Sequence, residues 1–187
     1  MRVPAPHLLE DGSFVTARLI AEPLSDSHLP DLIRMHADPL HMATLGGVKD
    51  EDETRDYLER NLACWERDGF GLWMLRWREA GPESPIIGRG LLRTLQRVEG
   101  NEVEVGYSFE PAWWGRGLAT EISRACVAIG FDHFGLMSIV ALTQPTNHAS
   151  RHVLEKSGLV YERDVMHANL PHVLYRTTEA VREGARA

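Results

Sequence analysis

The sequence predicts an α+β (mixed α/β) fold in which a mixed sheet is covered by helices. Three observations predict it. Segments of period 2 and of period 3.6 alternate along the chain in the order β-α-α-β-β-β-α-β-α-β-β. A Gly-Arg-Gly turn at 115–117 joins a cleanly alternating strand to an amphipathic helix. The chain has 187 residues, 43% hydrophobic and 25% charged, which is enough for one domain with a substantial core.

The elements follow in order. Residues 14–22 read as a first strand. Residues 28–37 read as a helix with Leu29, Leu32, Ile33 and His36 on one face; Ser27 can cap it, which leaves Pro30 in the tolerated first turn. Residues 52–68 form a second helix with a stripe of Leu58, Leu62 and Trp65. Strands at 70–77 and 86–96 are joined by Gly-Pro-Glu-Ser-Pro. The strand 101–109 places Val103, Val105, Tyr107 and Phe109 on one face. The helix 118–130 puts Leu118, Ile122, Ala125, Cys126 and Ile129 on one stripe, so it packs flat on a sheet. A buried strand at 137–142 precedes a helix at 147–157, which Gly158 can terminate in the left-handed conformation. Strands at 161–164 and 173–177 finish the core, and the last ten residues read as a polar tail. A bulge is expected near 106–108, where Gly106 permits it.

The stretch 104–121 carries most of the chemical information. A glycine-rich turn opening a helix aims several unpaired backbone N–H groups at one point, and the helix dipole adds partial positive charge there. Gly115 and Gly117 let the backbone approach an anion closely, and Arg116 adds a full charge with forked donors. The pattern suits a phosphate or pyrophosphate. No Gly-Lys-Ser/Thr follows, so it is no P-loop, and Glu121 and Ile122 stand where a dinucleotide fingerprint needs its third glycine.

Trp114-Gly115-Arg116-Gly117-Leu118-Ala119 resembles the acetyl-CoA-binding signature of the GNAT superfamily of N-acetyltransferases. Its first position departs, being Trp114 rather than Gln or Arg, as is usual in the RimJ/RimL-like branch, whose run continues as Thr120-Glu121 does here. Thr16-Ala17-Arg18-Leu19, Val105-Gly106-Tyr107, Asn147-His148-Ala149-Ser150 and Glu155-Lys156-Ser157-Gly158-Leu159 resemble further blocks of that branch, in order, over residues 14–178. The resemblance implies a single domain with a mostly antiparallel mixed sheet, helices on both faces, and a parallel strand pair (101–109 and 137–142) that splays apart. It implies acetyl-CoA as cosubstrate, its pantetheine lying in that V along the backbone of Tyr107, Ser108 and Phe109. Its diphosphate would lie on Trp114, Gly115, Arg116, Gly117, Leu118, Ala119 and Thr120. Asn147 and Ser150 would complete the cofactor site.

The implied reaction moves the acetyl group from the thioester to a primary amine, of a small molecule or a peptide N-terminus, in a ternary complex. A backbone N–H near Ser108 or Phe109 would stabilise the oxyanion. Glu104 is the first candidate for the base, with Glu102 on the same face; the alternative for Glu104 is a solvent-facing carboxylate. Many GNAT enzymes protonate departing CoA with a tyrosine at the place of Leu154, which has no proton to give. The resemblance puts Ser150 near the sulfur instead; otherwise Ser150 serves the first helical turn. Asn147 is both a helix N-cap and the family's pantetheine ligand.

Composition narrows the partners. A net charge of −7 argues against nucleic acid, which needs clustered cations. No apolar run reaches the ~18–20 residues of a membrane span, and no leader pattern opens the chain. Cys64 and Cys126 read as reduced thiols in a cytoplasmic protein, with no disulfide and no metal. His148 and His152 have metal-ligand spacing, yet no third ligand is near. Of the tryptophans, Trp113 and Trp114 are placed to cover and wall the loop. A homodimer is allowed. Two other readings stay open: a non-catalytic acyl-CoA-binding module, and an unrelated nucleotide-phosphate enzyme.

Overall fold

A computed structural model describes residues 6–95 and 102–184 of the chain. Eight strands form one sheet in the order β1-β2-β3-β4-β5-β6-β8-β7. They are β1 (Phe14–Val15), β2 (Leu19–Pro23), β3 (Leu72–Trp77), β4 (Ile86–Leu95), β5 (Glu102–Phe109), β6 (Ser138–Thr143), β7 (Val160–His167) and β8 (Leu170–Thr178). Neighbours run antiparallel except β5 and β6, which are parallel. The expected ends at Gln96 and Asn101 lie outside the described residues.

Helices cover both faces, and the central strands β3 and β4 are accordingly buried on both sides. On one side, Leu32 and Met35 of α1 (Leu29–Ala37) and Leu58 of α3 (Glu51–Asp68) pack on Leu72, Met74 and Leu91. On the other, Ile122, Ala125, Cys126 and Ile129 of α4 (Leu118–Asp132) and Leu154 of α5 (His148–Lys156) pack with Trp73, Leu75, Leu92 and Val105. A Cβ on Gly90 would come within 2.6 Å of Ile122, and one on Gly130 within 2.6 Å of Ile139, so these glycines set how closely α4 sits on the sheet. Asp50 and Glu53 cap α3 reciprocally, and Gly69 ends it with φ 73°.

Five expectations are corrected. The single strand at 14–22 is a hairpin: Thr16 and Leu19 close a turn through Thr16 N–H to Leu19 O, 2.9 Å, and Leu19 N–H to the Thr16 hydroxyl, 3.0 Å. Ser27 does not start the first helix; a 3-10 turn over Asp26–His28 precedes α1. No bulge interrupts β5, whose register with β4 is continuous from Gly88↔Phe109 to Leu95↔Glu102. Gly106 instead makes room for Leu91, which a Cβ would approach to 3.2 Å. The strands expected at 161–164 and 173–177 are longer, and little loop is left between them: Ala168 and Asn169, at φ 49° and 61°, make the turn of the long β7–β8 hairpin. The polar tail begins with a short helix, α6 (Glu179–Gly184). A further short helix, α2 (Pro39–Met42), lies within the segment 38–50.

Candidate active site

β5 and β6 pair in parallel at one rung, Glu104 opposite Val140. No other rung joins the two strands among the described residues, and the crevice at their carboxyl ends is where open α/β sheets bind ligands. Two devices frame it: the turn that starts α4 and the first turn of α5.

The turn is shaped by Gly115 and Gly117, at φ 73° and 75°, in the left-handed region where a side chain is strained. A Cβ on Gly115 would meet nothing within 4 Å, so the turn is open there. Gly117 is the N-cap of α4 and offers no side chain to cap it, which leaves the first-turn N–H groups directed outward. Gly115, Arg116 and Gly117 are exposed. Arg116 lies over the Trp113 ring at 4.8 Å, while the exposed Trp114 donates its indole N–H to Phe109 O at 2.7 Å. Trp113 therefore faces the arginine, and Trp114 occupies a strand carbonyl that was expected to be free for a ligand amide.

Glu121, in the first turn of α4, holds this turn against the β1–β2 hairpin. It accepts from the Thr16 hydroxyl at 2.6 Å, from Arg18 N–H at 2.8 Å and from Arg18 Nε at 2.7 Å. Arg18 NH1 in turn donates to Arg116 O at 2.8 Å. Burial alone would raise the Glu121 pKa, but the hydrogen bonds from Thr16 and Arg18 outweigh it and hold the carboxyl below its ordinary value.

Asn147 caps α5, its Oδ1 accepting from Ser150 N–H at 3.0 Å. The Ser150 hydroxyl lies 3.1 Å from the Tyr107 hydroxyl, which also donates to Ser150 O at 3.2 Å. Burial pushes the Tyr107 phenol up to about 12. Leu154, at the family's tyrosine position, is 2% exposed and belongs to the core. A phenol thus reaches the first turn of α5 from β5 rather than from α5 itself.

On the opposite face of β5, Glu104 is 8% exposed, so it does not face solvent. Its Oε2 accepts from Arg93 NH2 at 2.6 Å. Glu102 pairs with Arg176 at 2.7 Å. Ser108 accepts from Arg89 Nε at 3.0 Å. Between the loop after β6 and the β7–β8 hairpin, Pro145, Asp164, Val165, Met166, Pro171 and His172 line a hollow of about 250 Å³.

The GNAT acetyltransferase domain model matches residues 18–160, three quarters of the chain, including both framing turns. The chain belongs to the GNAT acetyltransferase family. It is 33% identical to the uncharacterized protein YkkB of Bacillus subtilis over 140 residues, 74% of this chain and 78% of YkkB. It is 28% identical to the FsC-acetyl coenzyme A-N(2)-transacetylase of Aspergillus fumigatus over 155 residues, 78% of this chain and 64% of that enzyme. An acetyltransferase structure from Agrobacterium tumefaciens superposes with TM-score 0.78 at 24% identity, covering 89% of this chain and 94% of that one.

As a GNAT acetyltransferase, the protein is an acyltransferase that uses acetyl-CoA as cosubstrate. The residues present fit that ligand: the open left-handed turn leads into an uncapped helix start, and a strand pair parts beside it. Among the described residues no cluster of three metal-ligating side chains occurs, and no helix is long and apolar enough to cross a membrane. His148 and His152 are both exposed. Cys64 and Cys126 are buried free thiols.

Sequence reasoning brought out the 114–120 turn, Asn147 and Ser150, which frame one crevice, and Glu104, which lies on the other face of β5. It did not find the Tyr107 side chain's contact with Ser150, the Arg93 partner of Glu104, or Arg89. Position 107 on the strand's inner face was the available signal for the first, and the paired inward positions on β4 for the others.

Proposed function

We propose that this GNAT acetyltransferase transfers acetyl from acetyl-CoA to a primary amine by direct attack in a ternary complex, the acceptor being a small-molecule amine or a peptide α-amine. The observation that carries this reading is the hydroxyl pair Tyr107–Ser150 in the crevice where β5 leaves β6. Acetyl-CoA supplies an activated acyl carbon and a thiolate leaving group.

The N–H groups of the 115–120 turn bind the diphosphate, and Trp114 and Arg116 flank it. The β5 backbone at Tyr107 and the N–H of Phe109, whose carbonyl is taken by Trp114, hold the pantetheine as an added strand, with Asn147 at its far side. Positioning of the two reactants supplies the largest share of the rate. Ser150 delivers a proton to the leaving sulfur, and Tyr107, with a phenol that stays protonated over the working pH range, orients that hydroxyl and replenishes it. Glu104, at the rung that joins the parallel pair and within an ion pair with Arg93, accepts the amine's proton directly or through water.

One observation favours a non-catalytic acyl-CoA-binding module: apolar Leu154 is buried where many relatives carry an acid. Thermal shift with CoA, together with a thiol-release assay over a broad amine panel, separates the two readings. Catalysis predicts CoA stabilisation and thiol release with at least one amine. Stabilisation without release across the panel supports the module, and stabilisation by ATP or NAD in place of CoA removes both.

A further inference from the structure

β4 carries two arginines, Arg89 and Arg93, four residues apart on the face that packs beneath α1 and α3. Register sets Arg93 opposite Glu104 and Arg89 opposite Ser108. At the first position the strand pair supplies a carboxylate, 2.6 Å from Arg93. At the second it supplies a hydroxyl, and Arg89 Nε donates to Ser108 Oγ at 3.0 Å. Arg89 NH1 donates to His36 Nε2 at 2.8 Å, and its guanidinium lies 4.9 Å from the Tyr57 ring centre. The residue is 6% exposed, and among the described residues no carboxylate pairs with it. Other inward-facing arginines do have one: Arg76 meets Glu22 at 2.7 Å and Arg176 meets Glu102 at 2.7 Å.

Arg89 is therefore a buried guanidinium without a carboxylate partner among the described residues. Its neighbours do not compensate. His36 accepts from Arg89, so its proton sits on Nδ1 and is given to Thr54 Oγ1 at 3.0 Å. Burial and then the charge of Arg89 push His36 down to about 3 and His41 down to about 4, which leaves both neutral. His41 is 4% exposed, and neither ring nitrogen has a partner among the described residues. Asp38, the acid beside His41, is engaged as the cap of α2 through Leu40 N–H and His41 N–H. Arg34 is matched by Asp31 and Glu110. The corner therefore holds a fixed positive charge and an unpartnered imidazole.

We propose that the acceptor amine carries its own carboxylate, which Arg89 and His41 bind while Ser108 and His36 fix the guanidinium. This rests on the acetyltransferase reading above. Ser108 directly follows Tyr107 on β5, and their side chains leave opposite faces of the strand. An anion on Arg89 thus lies across β5 from the Tyr107–Ser150 pair, on the face of the strand that carries Glu104. A free amino acid supplies both the amine for transfer and the carboxylate for that face. A peptide N-terminus places a neutral amide there, and a polyamine places a second cation against Arg89.

The test compares α- and β-amino acids, each with its carboxamide, alongside putrescine and a short peptide, using the wild-type protein saturated with acetyl-CoA for thiol release and with CoA for calorimetric binding. The expected result is a roughly 100-fold higher kcat/KM for a free amino acid than for its amide. Arg89→Gln reduces that ratio to a few-fold with CoA affinity retained, and it folds at least as well because a buried unpaired charge is gone. Arg89→Lys, which keeps the charge but loses the fork, retains part of the preference. Equal rates for acid and amide, a best substrate without a carboxylate, or an undiminished preference in Arg89→Gln overturns the proposal and leaves acetyl transfer standing. Amino-acid binding that depends on Arg89 without thiol release supports the site and refutes the transfer. Neither binding nor turnover of any amino acid overturns the proposal.

Discussion

The Tyr107 hydroxyl lies 3.1 Å from Ser150 Oγ, tying the carboxyl-terminal half of β5 to the first turn of α5. The two residues are 43 apart in sequence, and together they place two exchangeable protons where the parallel strands part. If they act as a unit on the leaving sulfur, Tyr107→Phe and Ser150→Ala each lower kcat by about 10²-fold, with little change in CoA affinity. The double variant loses little more than either single one. Steady-state kinetics with CoA titration check this; losses that multiply show that the hydroxyls work independently, and unchanged turnover makes Ser150 structural.

Glu104 sets the acidic side of the rate profile if it takes the amine's proton. Glu104→Gln then lowers kcat/KM and moves the acid limb, measured from pH 5 upward. An unmoved limb discards Glu104 as base and leaves it as the partner of Arg93.

Gly117→Val introduces a β-branched side chain at φ 75° on the turn proposed to hold the diphosphate. The backbone strain costs about 1–2 kcal/mol, and if the diphosphate lies on this turn the added bulk and the displaced backbone disrupt its binding. Loss of CoA binding with a folded, modestly less heat-stable protein is expected from calorimetry and thermal melts. Unchanged affinity removes the turn from the CoA site.

Glu121 links stability to acid. Its carboxyl is held below the ordinary 4.5 in the folded state, so the stability it contributes is full above that value and is lost as pH falls through the lower folded pKa. Glu121→Gln is expected to be less stable than wild type at pH 7, with the gap narrowing below about pH 4.5. Denaturant melts across that range check it; a gap independent of pH shows that the charge is not what holds the hairpin.

These outcomes bear on how much was legible in the sequence. The α4 stripe and the β5 alternation could be read because periodicity alone decides which side of an element faces the core. The Gly-Arg-Gly turn could be read because its chemistry is local. Thr16 closing on Leu19 looked like continuous strand, since a hydroxyl turn inside an apolar-rich stretch leaves no break in the pattern. The β7–β8 turn hid in Ala168-Asn169, without the glycine that usually marks such a turn. Glu104 read as a surface carboxylate or a base because its partner Arg93 comes from another strand, 11 residues away. Contacts between elements decided each of the site features that were missed: Tyr107 with Ser150, Arg93 with Glu104 and Arg89 with His36.

Crystals grown with CoA test the central claim most directly. The account predicts density for the diphosphate against the N–H groups of residues 115–120, with the pantetheine sulfur reaching the Ser150 and Tyr107 hydroxyls between β5 and β6. Coenzyme bound on any other surface, or a sulfur far from that hydroxyl pair, contradicts it.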